Sequence, residues 1–307
     1  MHTTSAKSVA ASRPRERDAT LEVSGGRTLS YETLGAAEGP VVVVLDGPGS
    51  HGLARAAAPA ATELGIRLVA PDRPGAGSST DAPDRGITDW PEDHGALLDA
   101  LGVDRAGLLA QSAGTPFALA VAAAMSSRTT GLALVGAVAP LDDPEAFAEA
   151  GKQLRMGLTL ARRAPWLLRT IVRATARSAR RNPEKVARRV VKGFPSADTA
   201  LLQDPEIWAL HVQATADIFA RPEGVASEIR LLAAPWGVDP TAVQVPVALW
   251  SGAADTTHPT AHSRRLAALI GDAPVTVVPD AATFGLLPHY PDALRFALGD
   301  ATPERRG

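Results

Sequence analysis

The chain has no cysteine among its 307 residues and few aromatic side chains, with five Trp, six Phe and two Tyr. The missing thiols exclude disulfides, thiol chemistry and cysteine-ligated zinc or iron–sulfur centres. No cofactor and no metal is expected. No run of eighteen apolar residues occurs, so no segment reads as a membrane span. The first twenty residues, "MHTTSAKSVAASRPRERDAT", lack an apolar stretch between a basic start and a small-residue cleavage site. Residues 1–19 therefore read as a disordered tail rather than a signal peptide, and the expected location is cytoplasmic. Charge of one sign is also missing overall, with 31 Lys and Arg against 33 Asp and Glu and a formal net charge of −2. With 45% apolar residues, the chain suits one large domain, or a core with a sizeable insertion.

Two regions differ in character. Over residues 20–140, short β-rich runs such as "VVVVL", "IRLVA", "AGLLAQ" and "GLALVGAV" alternate with Ala- and Leu-rich helical stretches. The pattern resumes over 245–300 with "VPVALW", a helix over 260–270, "PVTVVP" and a last helix over 291–299. Strands that are apolar throughout and separated by helices imply an α/β fold whose parallel sheet is covered on both faces. Residues 141–244 carry no convincing strand. They read as helices punctuated by Pro165, Pro183, Pro195, Pro205, Pro222 and Pro235.

The most specific motif is "LLAQSAGTPFALAVAAAM", residues 108–125. A β-run enters a sharp turn at Ser112 and leaves as a helix, with Ala110 and Gly114 two residues to either side. Strand and helix cross so closely at such a turn that its flanks must be small, and the turn lifts the hydroxyl above the sheet. The Ala113 N–H then faces any oxyanion formed on a substrate at Ser112. The motifs "VVVVLDGPGSHG" (41–52) and "GIRLVAPDRPGAGSST" (65–80) precede it in order. Together these three stretches resemble the α/β-hydrolase superfamily, in its branch of esterases, epoxide hydrolases and proline-iminopeptidase-like enzymes. The resemblance spans residues 20–140 and 244–300. It implies a mostly parallel eight-stranded sheet with helices on both faces, and makes residues 141–244 a helical cap over the site.

The same resemblance assigns further positions. In "LWSGAADTTHP" (249–259), Asp255 matches the family's acid; Asp142 and Asp143 are alternatives, and capping of the next helix is the plain reading of Asp255. The family's histidine should follow the eighth strand, but "VPDAATFGLL" puts Thr283 there. Threonine has no conjugate acid accessible near neutral pH and cannot take the serine's proton, whereas imidazole can. Among the other histidines, His258, three residues past Asp255, is the candidate for a relocated base. His51 follows the Gly-Pro-Gly loop, His289 reads as solvent-facing, and His94, His211 and His262 read as helix-borne. Surface or capping roles are the plain readings of His258, His51 and His289. The oxyanion loop is irregular too. One alignment makes Gly47 the donor with the Asp46 carboxylate beside it; the other puts Pro48, which has no N–H, at that place. Asp46 reads either as an acid or as a carboxylate bonding the turn.

Residues 152–192 hold thirteen Lys and Arg and one acidic residue, Glu184. Arg169, Arg173, Arg177 and Arg181 recur every four residues, making a basic stripe opposite "WLL" and "IV". A solvated face is the plain reading. An acidic partner, such as a carrier protein delivering a thioester, is the sharper one, with an interfacial membrane contact behind it. A homodimer is compatible with the same features. Nucleic acid is not expected, since no aromatic stacking platform accompanies the charge. Two functions fit: a serine-dependent hydrolase or acyl-transfer enzyme for a small apolar ester, thioester or lactone, or a member of the fold that has left hydrolysis as a cyclase, lyase, isomerase or silent binder.

Overall fold

The computed structural model describes residues 19–300, so the expected tail over 1–19 lies almost wholly outside the described residues. The strands are β1 (Ala19–Val23), β2 (Arg27–Gly35), β3 (Val41–Leu45), β4 (Arg67–Pro71), β5 (Ala106–Ser112), β6 (Thr129–Ala137), β7 (Val247–Gly252) and β8 (Val275–Val278). They form one sheet in the order β1-β2-β4-β3-β5-β6-β7-β8. The pairs β1–β2 and β2–β4 are antiparallel and the others parallel. Every residue of β3 is buried, because helices cover both faces of the sheet and no side of the strand meets water.

On one face lie α1 (Gly52–Glu63) and α12 (Tyr290–Ala297); on the other lie α2 (Trp90–Ala100), α3 (Thr115–Ala124) and α11 (Thr260–Leu269). Val42, Val44 and Leu109 face the first pair, while Val43, Leu45 and Leu108 face the second group. Alternation along each strand thus feeds two cores.

Between β6 and β7 the chain folds into α4 (Pro144–Glu149), α5 (Lys152–Arg163), α6 (Pro165–Arg181), α7 (Pro183–Val190), α8 (Ser196–Leu201), α9 (Pro205–Ile218) and α10 (Pro222–Ala233). Pro165, Pro183, Pro205 and Pro222 each open a helix, where a missing N–H is not needed. These helices pack over the loops at the carboxyl ends of the strands. Ala113 shares a cluster with Leu158, Leu168, Val172, Val225 and Leu232. A Cβ on Gly224 of α10 would overlap the carbonyl of Gly75, so only glycine permits that approach.

Candidate active site

The sharp turn after β5 holds Ser112 at φ +50°, a left-handed conformation rare for a residue with a side chain. A side chain on Gly114 would overlap the Leu45 carbonyl, so α3 can cross β3 this tightly only with glycine there. The turn leaves the Ala113 N–H without a hydrogen-bond partner among the described residues. Strain at one residue and a free donor at the next make a site able to bind an oxyanion.

Asp255 follows β7 and is buried. It does not cap α11, whose N-terminal flanking residue is Pro259, so the capping reading fails. Instead its Oδ1 accepts the backbone N–H groups of Thr257 at 2.7 Å and His258 at 2.8 Å, closing a tight turn. Its Oδ2 accepts the Thr283 hydroxyl at 2.7 Å. The Thr283 oxygen in turn lies 3.3 Å from His258 Nδ1, while Nδ1 and Asp255 Oδ2 are 3.6 Å apart. A hydroxyl therefore bridges acid and imidazole. Because Thr283 gives its proton to Asp255, it can only accept from His258, which sets the imidazole proton on Nδ1 and leaves Nε2 as an acceptor. Burial works to raise the Asp255 pKa, but the nearby His258 ring, the backbone N–H and the Thr283 hydroxyl outweigh it and hold it below the ordinary carboxylate value. Of the alternative acids, Asp142 is exposed, and Asp143 caps α4 by accepting from Glu145 and Ala146.

The histidines separate clearly. His258 is 8% exposed and so is no surface residue. His51 is not one either. Its Nδ1 lies 3.1 Å from Glu32 and its Nε2 3.0 Å from Asp72, the latter contact being too bent for a good hydrogen bond. Burial disfavours charge on this ring, yet the two carboxylates outweigh burial and push its pKa up to about 9. A histidine held protonated at neutral pH is a poor base. His94 and His262 are buried in the fold, and His289 ends a 3₁₀ turn before α12, partly covered.

Asp46 bonds the turn. Its Oδ2 accepts the Ser50 hydroxyl at 2.8 Å and the Leu53 N–H at 2.9 Å. Its Oδ1 accepts the Gly47 N–H at 2.6 Å. The donor expected to serve an oxyanion is thus engaged by its own neighbour. Arg73 fixes the loop from the other side, donating to the Asp46 and Gly47 carbonyls at 2.9 and 3.1 Å and to Glu228 of α10 at 2.7 and 2.8 Å.

Several groups escaped sequence reasoning. Asp198 of α8 is buried and accepts the Phe284 N–H at 2.8 Å. Burial and the neighbouring Asp255 charge push its carboxyl up to about 6, against the Phe284 N–H, which lowers it. In sequence it reads as an ordinary acid in the first turn of a helix. Gln111 and His211 each bury an Nε2 without a partner among the described residues, and both line a cavity of about 140 Å³ between α1, α9 and the 283–290 segment. Asp46, Ser50, Thr283 and Tyr290 complete its polar rim. Wider hollows open on the surface beside Arg27 and beside Arg177, but they are remote from this chemistry. Among the described residues, no cluster of three His, Asp or Glu could hold a metal ion. No helix there is long and apolar enough to cross a membrane.

Comparison with known proteins agrees with this architecture. No curated protein matches the chain. Among solved structures, a hydrolase from Pseudomonas aeruginosa is 22% identical with a TM-score of 0.67, covering 92% of this chain and 99% of its own. An enol-lactonase from Burkholderia xenovorans is 21% identical with a TM-score of 0.65, over 92% and 99% of the two chains. A thermophilic esterase from Thermogutta terrifontis is 23% identical with a TM-score of 0.62, over 92% and 96%. The family model described as alpha/beta hydrolase fold matches residues 39–290, and the chain belongs to that family.

Proposed function

We propose that this protein is a serine-dependent hydrolytic or acyl-transfer enzyme acting on a small, mostly apolar ester, thioester or lactone. Ser112 is the nucleophile, His258 the base, and Asp255 the acid that orients the base through Thr283. The observation that carries this reading is the Thr283 hydroxyl bridging Asp255 Oδ2 and His258 Nδ1. It reproduces the acid's usual task, which is to fix the imidazole tautomer and favour the imidazolium, with a hydroxyl interposed. In the reaction Ser112 adds to the carbonyl carbon while its proton passes to His258 Nε2. The oxyanion takes the Ala113 N–H, and the proton returns to the leaving oxygen or sulfur as the tetrahedral intermediate collapses.

The cavity beside Gln111 and Thr283 supports a small substrate. Its volume of about 140 Å³ is close to that of cavities that accept a benzene-sized molecule, roughly 150 Å³. Turnover is expected to be slow, because the Gly47 N–H is engaged by Asp46 and loss of one oxyanion donor costs about 10²–10³ in kcat.

The test is labelling with a fluorophosphonate, read as a mass adduct on Ser112. Adduct formation in the wild type, abolished in Ser112→Ala and strongly slowed in His258→Ala, is the expected result. A wild type that does not label, or labels equally fast without His258, sinks the mechanism. The capture of the Gly47 N–H favours a second reading, a non-hydrolytic member of the fold or a binder. That reading expects ligand binding in the cavity without any adduct.

A further inference from the structure

The insertion carries an electrostatic asymmetry that the site does not use. Residues 152–192 hold thirteen basic groups and one acid, a charge of +12, so the remainder of the chain, with 18 basic and 32 acidic groups, carries −14. Ten of the thirteen are arginines, whose planar guanidinium matches phosphate oxygens two at a time. Most are on the outside: Arg163, Arg169, Arg173, Arg177, Arg180 and Arg181 are all exposed. Few are neutralised. Arg173 meets Glu223 at 2.6 Å and Arg188 meets Glu184 at 2.6 Å, and both pairs are open to solvent, where such contacts contribute little.

The same helices hold three of the five exposed large apolar side chains among the described residues, Met156 at 61%, Trp166 at 69% and Ile171 at 44%. The grouping of "WLL" sets Trp166 with Leu168 on the apolar face, but two residues along a helix turn through about 200° and put the two side chains on opposite sides. Accordingly Leu168 and Val172 are buried, whereas Trp166 is exposed. Its helical position aligns it instead with Arg173 and Arg177, at intervals of seven and eleven residues. Large apolar groups interspersed with exposed arginines along α5 and α6 are unlike the charge-depleted core of a protein–protein interface. They match a bilayer headgroup layer, which accepts cations at its phosphates and amphipathic rings at its depth.

We propose that the α5–α6 face seats this protein on anionic lipid bilayers, with Arg169, Arg173, Arg177 and Arg181 on lipid phosphates and Trp166 at headgroup level. Charge selects both the surface and the orientation. The strongly acidic remainder is repelled by the same lipids, so the insertion faces the bilayer and the sheet points away.

The full chain is sedimented with vesicles of phosphatidylcholine alone and with vesicles that also contain phosphatidylglycerol. Binding is expected only with phosphatidylglycerol, and high salt should abolish it. Each arginine near the surface contributes about fivefold in partitioning, so Arg169→Gln/Arg177→Gln/Arg181→Gln should bind about a hundredfold more weakly. A blue shift of tryptophan emission on binding, lost in Trp166→Phe, locates the contact. Unfolding curves matching wild type show that the variants fold. Equal binding to both vesicles, no binding to either, or a triple variant that binds like wild type overturns the proposal. Absent vesicle binding with salt-sensitive binding of polyglutamate at the same arginines would instead assign the face to an acidic protein partner.

Discussion

Thr283 is a single hydroxyl with two duties, donating to a buried carboxylate and accepting from an imidazole. Thr283→Val keeps the shape and removes both. The Asp255 Oδ2 then loses its donor in a buried setting, which costs about 1–3 kcal/mol, read as a lower urea midpoint. The same variant should slow fluorophosphonate labelling of Ser112, since the imidazole is no longer oriented; an unchanged labelling rate would remove Thr283 from the mechanism. His51 gives a pH signature of its own. Its folded pKa of about 9 lies above the ordinary imidazole value of 6.5, so its stabilisation is fully present below pH 6.5 and is lost as pH rises through about 9. Wild-type stability should fall across that window by on the order of 2 kcal/mol. His51→Gln should start lower and run flatter, and a mutant with the wild-type slope would show that another group titrates there.

At the scale of elements, α8 reaches back to the segment after β8 through one hydrogen bond, Asp198 to the Phe284 N–H, spanning 86 residues of sequence. The raised carboxyl pKa, about 6 against 3.8, means that the folded protein holds this proton more tightly than the unfolded chain does. Stability therefore falls as pH rises from 3.8 through about 6. Asp198→Asn keeps an acceptor for Phe284 and removes the charge. It should raise stability at neutral pH by about 1–2 kcal/mol, allowing for solvent screening, and remove the slope in that window. A loss of stability at neutral pH would mean that the ionised carboxylate is needed where it stands. The element boundaries were largely legible beforehand. The buried runs of β3, β5 and β6 and the proline-opened helices of the insertion all have local causes, namely apolar periodicity and the missing proline N–H. The grouping of Trp166 with Leu168 fails because positions two apart on a helix face away from each other.

For the whole molecule, the junction of insertion and core rests on buried charge. Glu228 of α10 is paired with Arg73, and Arg85 approaches it at 3.3 Å, with both guanidinium groups over the Phe117 ring. Removing the carboxylate leaves two buried cations without their direct ion-pair partner. Glu228→Gln should cost about 3–5 kcal/mol in urea unfolding, whereas Arg73→Met/Glu228→Leu should cost less, because an apolar pair leaves no uncompensated charge at Arg73. If the double variant is the worse of the two, the network is net stabilising as a whole.

The sequence by itself determined the α/β layering, the elbow at Ser112 and the family resemblance. These depend on strand periodicity, small-residue spacing and ordered motifs, all readable within a few residues of one another. It also identified Thr283 as the odd residue and Asp46 as a neighbour of the expected donor. Only the tertiary structure decided what those residues touch. The hydroxyl of Thr283 meets an acid 28 residues away, Asp198 enters from the insertion, and His51 is held between one carboxylate within β2 and another just after β4. Such partners depend on how separate elements pack, and packing joins positions whose distance along the chain carries no signal of their contact.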